Sequence, residues 1–296
     1  MKVLCFGSLN IDYVYSVPHF VKGGETLASK ALNIYSGGKG LNQSIALSKA
    51  CLEVYHAGAI GNDGMFLLQE LKDCNVNIQY IKILDDIKTG HAIIQKNDEG
   101  NNCILLYGGA NQKITKSQID ETLNFFEKGD ALVIQNEINE LFYLVEQAKI
   151  RGLIIALNPS PMDDNLIHLL PNVDYLILNE IEAAQFLDAK CNSDPEIMIK
   201  ELNKKIPLAK IILTIGEKGS FYSDSKTFIK QEAEKVQAID TTAAGDTFTG
   251  YFLSGIFNGQ SPEWSMKFAT KASSIAVTRH GAAPSIPERE EVLKQL

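Results

Sequence analysis

The sequence predicts a three-layer α/β/α fold around a mostly parallel central sheet, and three observations carry that expectation. From Val54 onward short apolar runs alternate with helical patterns, as parallel strands covered on both faces do. The runs at residues 2–6, 131–135, 153–157, 175–178 and 210–215 are strand-length and almost free of polar side chains. Several end in small or polar residues (Gly7-Ser8, Asn136-Glu137, Asn158-Pro159, Asn179-Glu180), on the edge where such sheets hold their ligands.

Composition narrows the class. With 296 residues, 45% of them hydrophobic, the chain can bury a sizeable core, and it shows no repeat, low-complexity tract or linker. One domain over residues 1–296 is expected. A net charge of −8 without a long Lys/Arg run offers no electrostatic footprint for nucleic acid or an anionic membrane. The apolar runs are too short to span a bilayer and the start enters a strand directly, so a cytoplasmic protein is expected. The five cysteines are scattered without a Cys-x-x-Cys spacing; they imply neither a disulfide framework nor a zinc site and are expected to be buried thiols.

Taken in order, the first strand (2–6) ends at Gly7-Ser8. Asn10 and Asp12 follow, and alternation in an extended segment puts both on one face. Locally they are also plain turn residues. Residues 13–17 and 26–35 read as strands around a loop at 18–25 and break the β-α rhythm. Residues 36–43, Ser-Gly-Gly-Lys-Gly-Leu-Asn-Gln, open a helix whose Ile45, Ala46, Leu47 and Ala50 face inward. The spacing and the Ser/Thr of a Walker A loop are missing. Residues 57–63 end a strand and 65–74 form a helix. Alternating strands at 91–95 and 103–107 flank Asn97-Asp98-Glu99-Gly100, a hairpin turn, and make a second interruption. The two interruptions, at about 11–35 and 88–108, are expected to pair as a small sheet outside the main one, with Gly108 to Asn111 as its return hinge.

Further on, Asn179 and Glu182 lie three apart at a helix start and share a face, a pattern that also suits a simple cap. The strand at 210–215 runs into Gly216-Glu217-Lys218-Gly219, a turn that lets a flat ring or a phosphate approach the backbone. The stretch at 236–252, VQAIDTTAAGDTFTGYF, changes character three times. Residues 236–239 read as the end of a strand, Asp240, Thr241 and Thr242 as turn formers, and Ala243, Ala244 and Gly245 as a small-residue entry to a helix. From Asp246, Phe248, Tyr251, Phe252, Gly255 and Ile256 recur at helical spacing. Unpaired N–H groups behind small residues suit an anion such as phosphate. An Asp among them suits a base that takes a proton from a hydroxyl, hence phosphoryl transfer. Taken alone, an Asp in a first turn is most often a cap or a helix-dipole partner.

Residues 36–43 and 236–252 closely resemble the two signatures of the PfkB-type, or ribokinase-like, sugar kinases, in the expected order, and the resemblance runs from Gly7 through Ile286. It implies an ATP-dependent kinase that phosphorylates the primary C5 hydroxyl of D-ribose. Another sugar, a nucleoside, or a nucleotide sensor without turnover remain as alternatives. It implies that Asp246 is the base and that Asn10, Asp12, Gly38, Lys39, Gly40, Asn42 and Glu137 bind the sugar. Asn179, Glu182, Thr214, Gly216, Glu217, Gly219, Ala244, Gly245 and Thr270 would serve ATP and Mg²⁺, although Thr270-Lys271 stands where a ribokinase pattern has His. Asp240, Thr242, Ala276, Arg279, Gly281 and Ser285 match the oxygens around an activating K⁺. The small sheet would be a lid over the sugar and the contact of a homodimer.

Overall fold

The computed structural model describes residues 1–188 and 194–296, so Cys191 lies outside the described residues. Within them the strands are β1 (Lys2–Phe6), β2 (Asn10–Ser16), β3 (Ala31–Gly37), β4 (Glu53–Gly61), β5 (Asn77–Leu84), β6 (Gly90–Lys96), β7 (Asn102–Tyr107), β8 (Ala131–Gln135), β9 (Ile154–Asn158), β10 (Tyr175–Asn179), β11 (Lys210–Thr214), β12 (Ser220–Ser223) and β13 (Phe228–Gln231). The helices are α1 (Lys39–Lys49), α2 (Met65–Asp73), α3 (Lys116–Leu123), α4 (Leu141–Ile150), α5 (Glu180–Phe186), α6 (Pro195–Lys205), α7 (Ala244–Phe257), α8 (Pro262–Ala276) and α9 (Arg289–Leu293).

Nine strands form the main sheet in the order β13-β12-β11-β10-β9-β8-β1-β4-β5. All neighbours are parallel except β12, which runs antiparallel to β11 and β13. The apolar runs are buried on both sides because successive residues enter different cores. Leu4, Phe6, Leu132 and Ile134 pack under α3, α4, α5 and α6. Val3, Ala131 and Val133 pack under α1, α2, α7 and α8. That division is the three-layer arrangement the sequence predicts. The chain builds outward from β1 through β4 to β5, then returns to lay β8 on the other side of β1. The carboxyl edge between β1 and β8 is therefore a topological switch point, where open α/β sheets leave a crevice.

The second sheet has the order β3-β2-β6-β7, with β2 and β6 parallel and the outer pairs antiparallel. It is assembled from the two predicted interruptions. β2 starts at Asn10, so Asn10 and Asp12 belong to this sheet rather than to a loop past β1. β3 starts only at Ala31, five residues later than its pattern suggests.

Other expectations fail in instructive ways. Residues 236–239 are not a strand: Val236 and Ile239 are exposed, and the Ile239 N–H is taken by the Val277 carbonyl rather than by the sheet. Apolar alternation here marks an extended segment tied to the end of α8. α7 begins at Ala244, two residues before Asp246, and α8 begins at Pro262, capped by Ser261, well before Lys267. Among the described residues only Cys5 is a fully buried thiol; Cys74 is half-buried, and Cys51 and Cys103 are exposed. Among the described residues no helix is long and apolar enough to cross a membrane.

Candidate active site

Loops from the switch point and the start of α7 converge on one cluster. Ser8, just past β1, donates its hydroxyl to the Glu137 carboxylate, just past β8. The same carboxylate oxygen accepts the Lys39 N–H at 3.1 Å. α1 approaches β1 this closely because of Gly40: a Cβ there would stand 2.5 Å from the Ser8 nitrogen and 2.6 Å from the Gly7 carbonyl carbon. Gly38, one residue before the helix, has φ 94°, a left-handed conformation that favours glycine. Glycines in the first motif thus serve backbone packing, which then presents Lys39 and Asn42.

Asp246 lies in the first turn of α7 and is 8% exposed. Its Oδ2 accepts Asn42 Nδ2 at 3.0 Å and its Oδ1 accepts Gln43 Nε2 at 2.9 Å. Beside it the helix start is open: a Cβ at Gly245 would meet nothing within 4 Å, and Ala243 before it is left-handed with φ 58°. Packing therefore does not demand glycine at 245, whereas an anion approaching the backbone N–H groups does benefit from it. Asn42 Oδ1 is buried without a hydrogen-bond partner among the described residues, which marks it as an atom awaiting one.

Asn10 and Asp12 share one face of β2. Asn10 Oδ1 accepts Asn111 Nδ2 at 2.7 Å, while Asn111 Oδ1 accepts the Leu9 N–H at 3.0 Å. Asn111, on the return hinge, so turns the Asn10 amide to leave its NH₂ free for a ligand. Burial, then the Glu137 charge, pushes Asp12 up to about 6. Burial likewise raises Glu137, only partly offset by the Ser8 hydroxyl and the charge and N–H of Lys39. Burial works to lower Lys39, but Asp246, Glu137 and Glu182 together hold its ammonium above the usual value. One lysine thus balances three carboxylates, a charge distribution suited to polar, partly anionic ligands.

The remaining sequence candidates lie on neighbouring loops. Asn179 caps α5, accepting the N–H groups of Ile181 and Glu182 at 2.9 Å each, and Glu182 reaches back to the Asn179 N–H at 2.9 Å. The simple cap is real, and Glu182 is nonetheless within the field of Lys39. Thr214 ends β11, and Gly216 and Glu217 form an exposed turn closed by Gly219. Thr270, on α8, has a buried hydroxyl without a partner among the described residues. Ser273 of the same helix donates to the Ala244 carbonyl at 3.2 Å, locking α8 against the start of α7.

Asp240 ties two loops together. Its Oδ1 accepts the Thr242 N–H at 3.0 Å and hydroxyl at 2.5 Å, and its Oδ2 accepts the Gly281 N–H at 3.1 Å. Burial would raise its carboxyl, but these donors outweigh it and hold the group below its ordinary value. Arg279 pairs with Glu291 on α9, the Ala276 carbonyl accepts the Arg279 N–H, and the buried Ser285 hydroxyl bonds the Ala282 carbonyl. The groups here that could meet a large, weakly hydrated cation are the backbone carbonyls of these loops and the remaining lone pair of Asp240 Oδ2, which accepts a single N–H. Among the described residues no three His, Cys, Asp or Glu side chains are close enough to hold a metal ion by themselves. A divalent ion here fits only with ligand oxygens and water completing its shell, as Mg²⁺ at phosphates prefers.

Sequence reasoning missed Ser8, Gln43, Asn111 and Gln135. The signal was present for two of them: Gln43 sits on the apolar face of a helix and Gln135 closes an otherwise apolar strand.

Comparison with known proteins gives one answer. The pfkB family carbohydrate kinase profile matches residues 1–289. The ribokinase of Staphylococcus aureus (strain COL) is 36% identical over 299 aligned residues, covering 98% of this chain and 98% of that protein. The crystal structure of ribokinase from Cryptococcus neoformans var. grubii serotype A in complex with ADP superposes with a TM-score of 0.88 at 31% identity, covering 100% of this chain and 98% of that one. Arabidopsis thaliana ribokinase complexed with ribose and ATP gives a TM-score of 0.88 at 29% identity, covering 99% and 97%. With matches over nearly its whole length, this chain belongs to the pfkB family of carbohydrate kinases.

Proposed function

We propose that the protein is an ATP-dependent ribokinase transferring the γ-phosphoryl group to the C5 hydroxyl of D-ribose. One observation carries the reading: a buried carboxylate, Asp246, stands in the first turn of α7 beside the open backbone at Gly245. In it, Asp246 accepts the proton of the sugar hydroxyl as the oxygen attacks phosphorus, and the N–H groups of Ala244 and Gly245 stabilise the charge on the transferring group. Asn10, Asp12, Lys39, Asn42 and Glu137 hold the sugar. Asn10 faces it as a donor and Asp12 as an acceptor, which favours ribose over 2-deoxyribose, because a missing hydroxyl leaves them unpaired. Thr214, Gly216, Glu217, Gly219 and Thr270 line the nucleotide side. Glu182 and Asn179 serve Mg²⁺ through water, and that ion supplies charge neutralisation at the phosphates.

A monovalent cation, K⁺, belongs between the loops at Asp240-Thr242 and Ala276-Ser285, where it fixes the shape of the loop leading into α7. The lid is the contact with a second copy of the chain: Leu32, Ile34, Leu105 and Tyr107 are exposed on its outer strands. A cytoplasmic location suits the exposed thiols of Cys51 and Cys103. The test is ADP release against a panel of pentoses, hexoses and nucleosides at constant ionic strength, in K⁺ and in tetramethylammonium. Preference for ribose and dependence on K⁺ are expected. Equal turnover of ribose and 2-deoxyribose, or of the two salts, removes the corresponding part of the reading.

A further inference from the structure

Behind Asp246 lies a buried row of amides that the reaction as described does not use. Gln43, with no exposed surface, splits its NH₂ between two acceptors: Asp246 Oδ1 at 2.9 Å and Asn158 Oδ1 at 3.2 Å. Its own oxygen accepts Gln135 Nε2 at 2.7 Å. Neither neighbour is free to turn. Asn158 donates its NH₂ to the Ile177 carbonyl at 2.9 Å, so its oxygen must face Gln43. Gln135, also fully buried, points its NH₂ at both Gln43 and the Cys5 sulfur, the latter at 3.7 Å.

The consequence is a fixed polarity. Were the Gln43 amide to rotate by half a turn, it would lose three hydrogen bonds, set its one oxygen against both the Asp246 carboxylate and the Asn158 oxygen, and turn its NH₂ toward that of Gln135. We infer that Gln43 is a positioning residue for the base, and that the ends of β8 and β9 and the middle of β10, acting through Gln135, Asn158 and Ile177, set the orientation in which it holds Asp246. The inference rests on the kinase reading above, in which Asp246 is the base. It explains why a polar side chain occupies the buried face of α1 between Leu41 and Ile45. With Gln43 at Oδ1 and Asn42 at Oδ2, the carboxylate plane is held from both sides, leaving its remaining lone pairs for the sugar hydroxyl.

The experiment is a double-variant cycle read in single-turnover phosphoryl transfer, which excludes product release from the rate. Wild-type turnover on the sugar panel comes first, so a failed kinase reading shows in the wild-type protein and a failed positioning role shows only in the variants. Gln43→Leu, similar in volume but without donors, is expected to slow transfer by about 10- to 100-fold with KM for sugar and ATP little changed. In an Asp246→Asn background the same substitution is expected to cost no more than about twofold, because the group it orients is gone. Losses that multiply in the double variant, or a rate loss matched by an equal rise in KM, overturn the inference. Should Gln43→Leu not fold, Gln135→Leu carries the test: it removes the clamp on the Gln43 oxygen together with the long contact to the Cys5 sulfur but leaves both Gln43 donors in place, and a smaller loss that likewise vanishes beside Asp246→Asn is expected. An unchanged transfer rate in Gln135→Leu overturns the proposed orientation.

Discussion

At the scale of single residues, the site is a set of carboxylates whose charge is balanced by Lys39 and whose orientation is set by amides. Asp246→Asn is nearly isosteric and should keep the fold while losing the base, with kcat falling about 10²- to 10⁴-fold. A melting temperature within a few degrees of wild type and a residual rate below about a tenth are the checks. Asp12 gives a pH signature. Its carboxyl, raised to about 6 by burial and then by Glu137, is protonated in the folded protein where the unfolded chain is still ionised. The folded state therefore binds the extra proton between the unfolded value near 4 and about 6, so this group adds stability below that window and loses it as pH rises through 6. Binding runs the other way, because only the carboxylate accepts freely from sugar hydroxyls: KM for ribose should rise as pH falls below about 6. Asp12→Asn should raise the melting temperature, weaken sugar binding and flatten that rise in KM.

At the scale of elements, the two glycine-containing loops make opposite demands. Gly40 has backbone of Ser8 within 2.5 Å of where a methyl would sit, whereas Gly245 has open space. Gly40→Ala should destabilise by about 1–3 kcal/mol. Gly245→Ala should melt like the wild type yet lose phosphoryl transfer, by crowding the anion against the helix start. Thermal unfolding beside turnover separates them. The lid strands should close over bound sugar, and hydrogen exchange at residues 13–35 and 89–107 should slow on adding ribose. The elements were largely readable beforehand, because a buried parallel strand must be apolar on both faces and a helix start must satisfy its N–H groups. What misled was extended chain outside a sheet. Val236 and Ile239 alternate like a strand, but the Val277 carbonyl rather than a strand captures that backbone. The proposed base, Asp246, was visible as a carboxylate in a first turn. Its partner Gln43 was not, since a buried polar residue announces that it has a partner without saying which, and this one is 203 positions away.

At the scale of the molecule, the order in which strands are laid down builds the site. Returning from β5 to place β8 beside β1 opens the crevice in which Ser8 meets Glu137, and α1 and α7 bring Asn42, Gln43 and Asp246 to its floor. The family resemblance fixes that frame from end to end, while the choice of acceptor hydroxyl rests on the proposed contacts of Asn10, Asp12 and Glu137 with the sugar. The position of the new phosphate therefore tests the account most directly. Incubating the protein with ATP, Mg²⁺, K⁺ and ¹³C-labelled D-ribose and following ³¹P and ¹³C spectra should give one phosphomonoester on C5, formed in step with ADP. A phosphate on C1, or ADP released without any sugar phosphate, would contradict the assignment of Asp246 as the base for the primary hydroxyl.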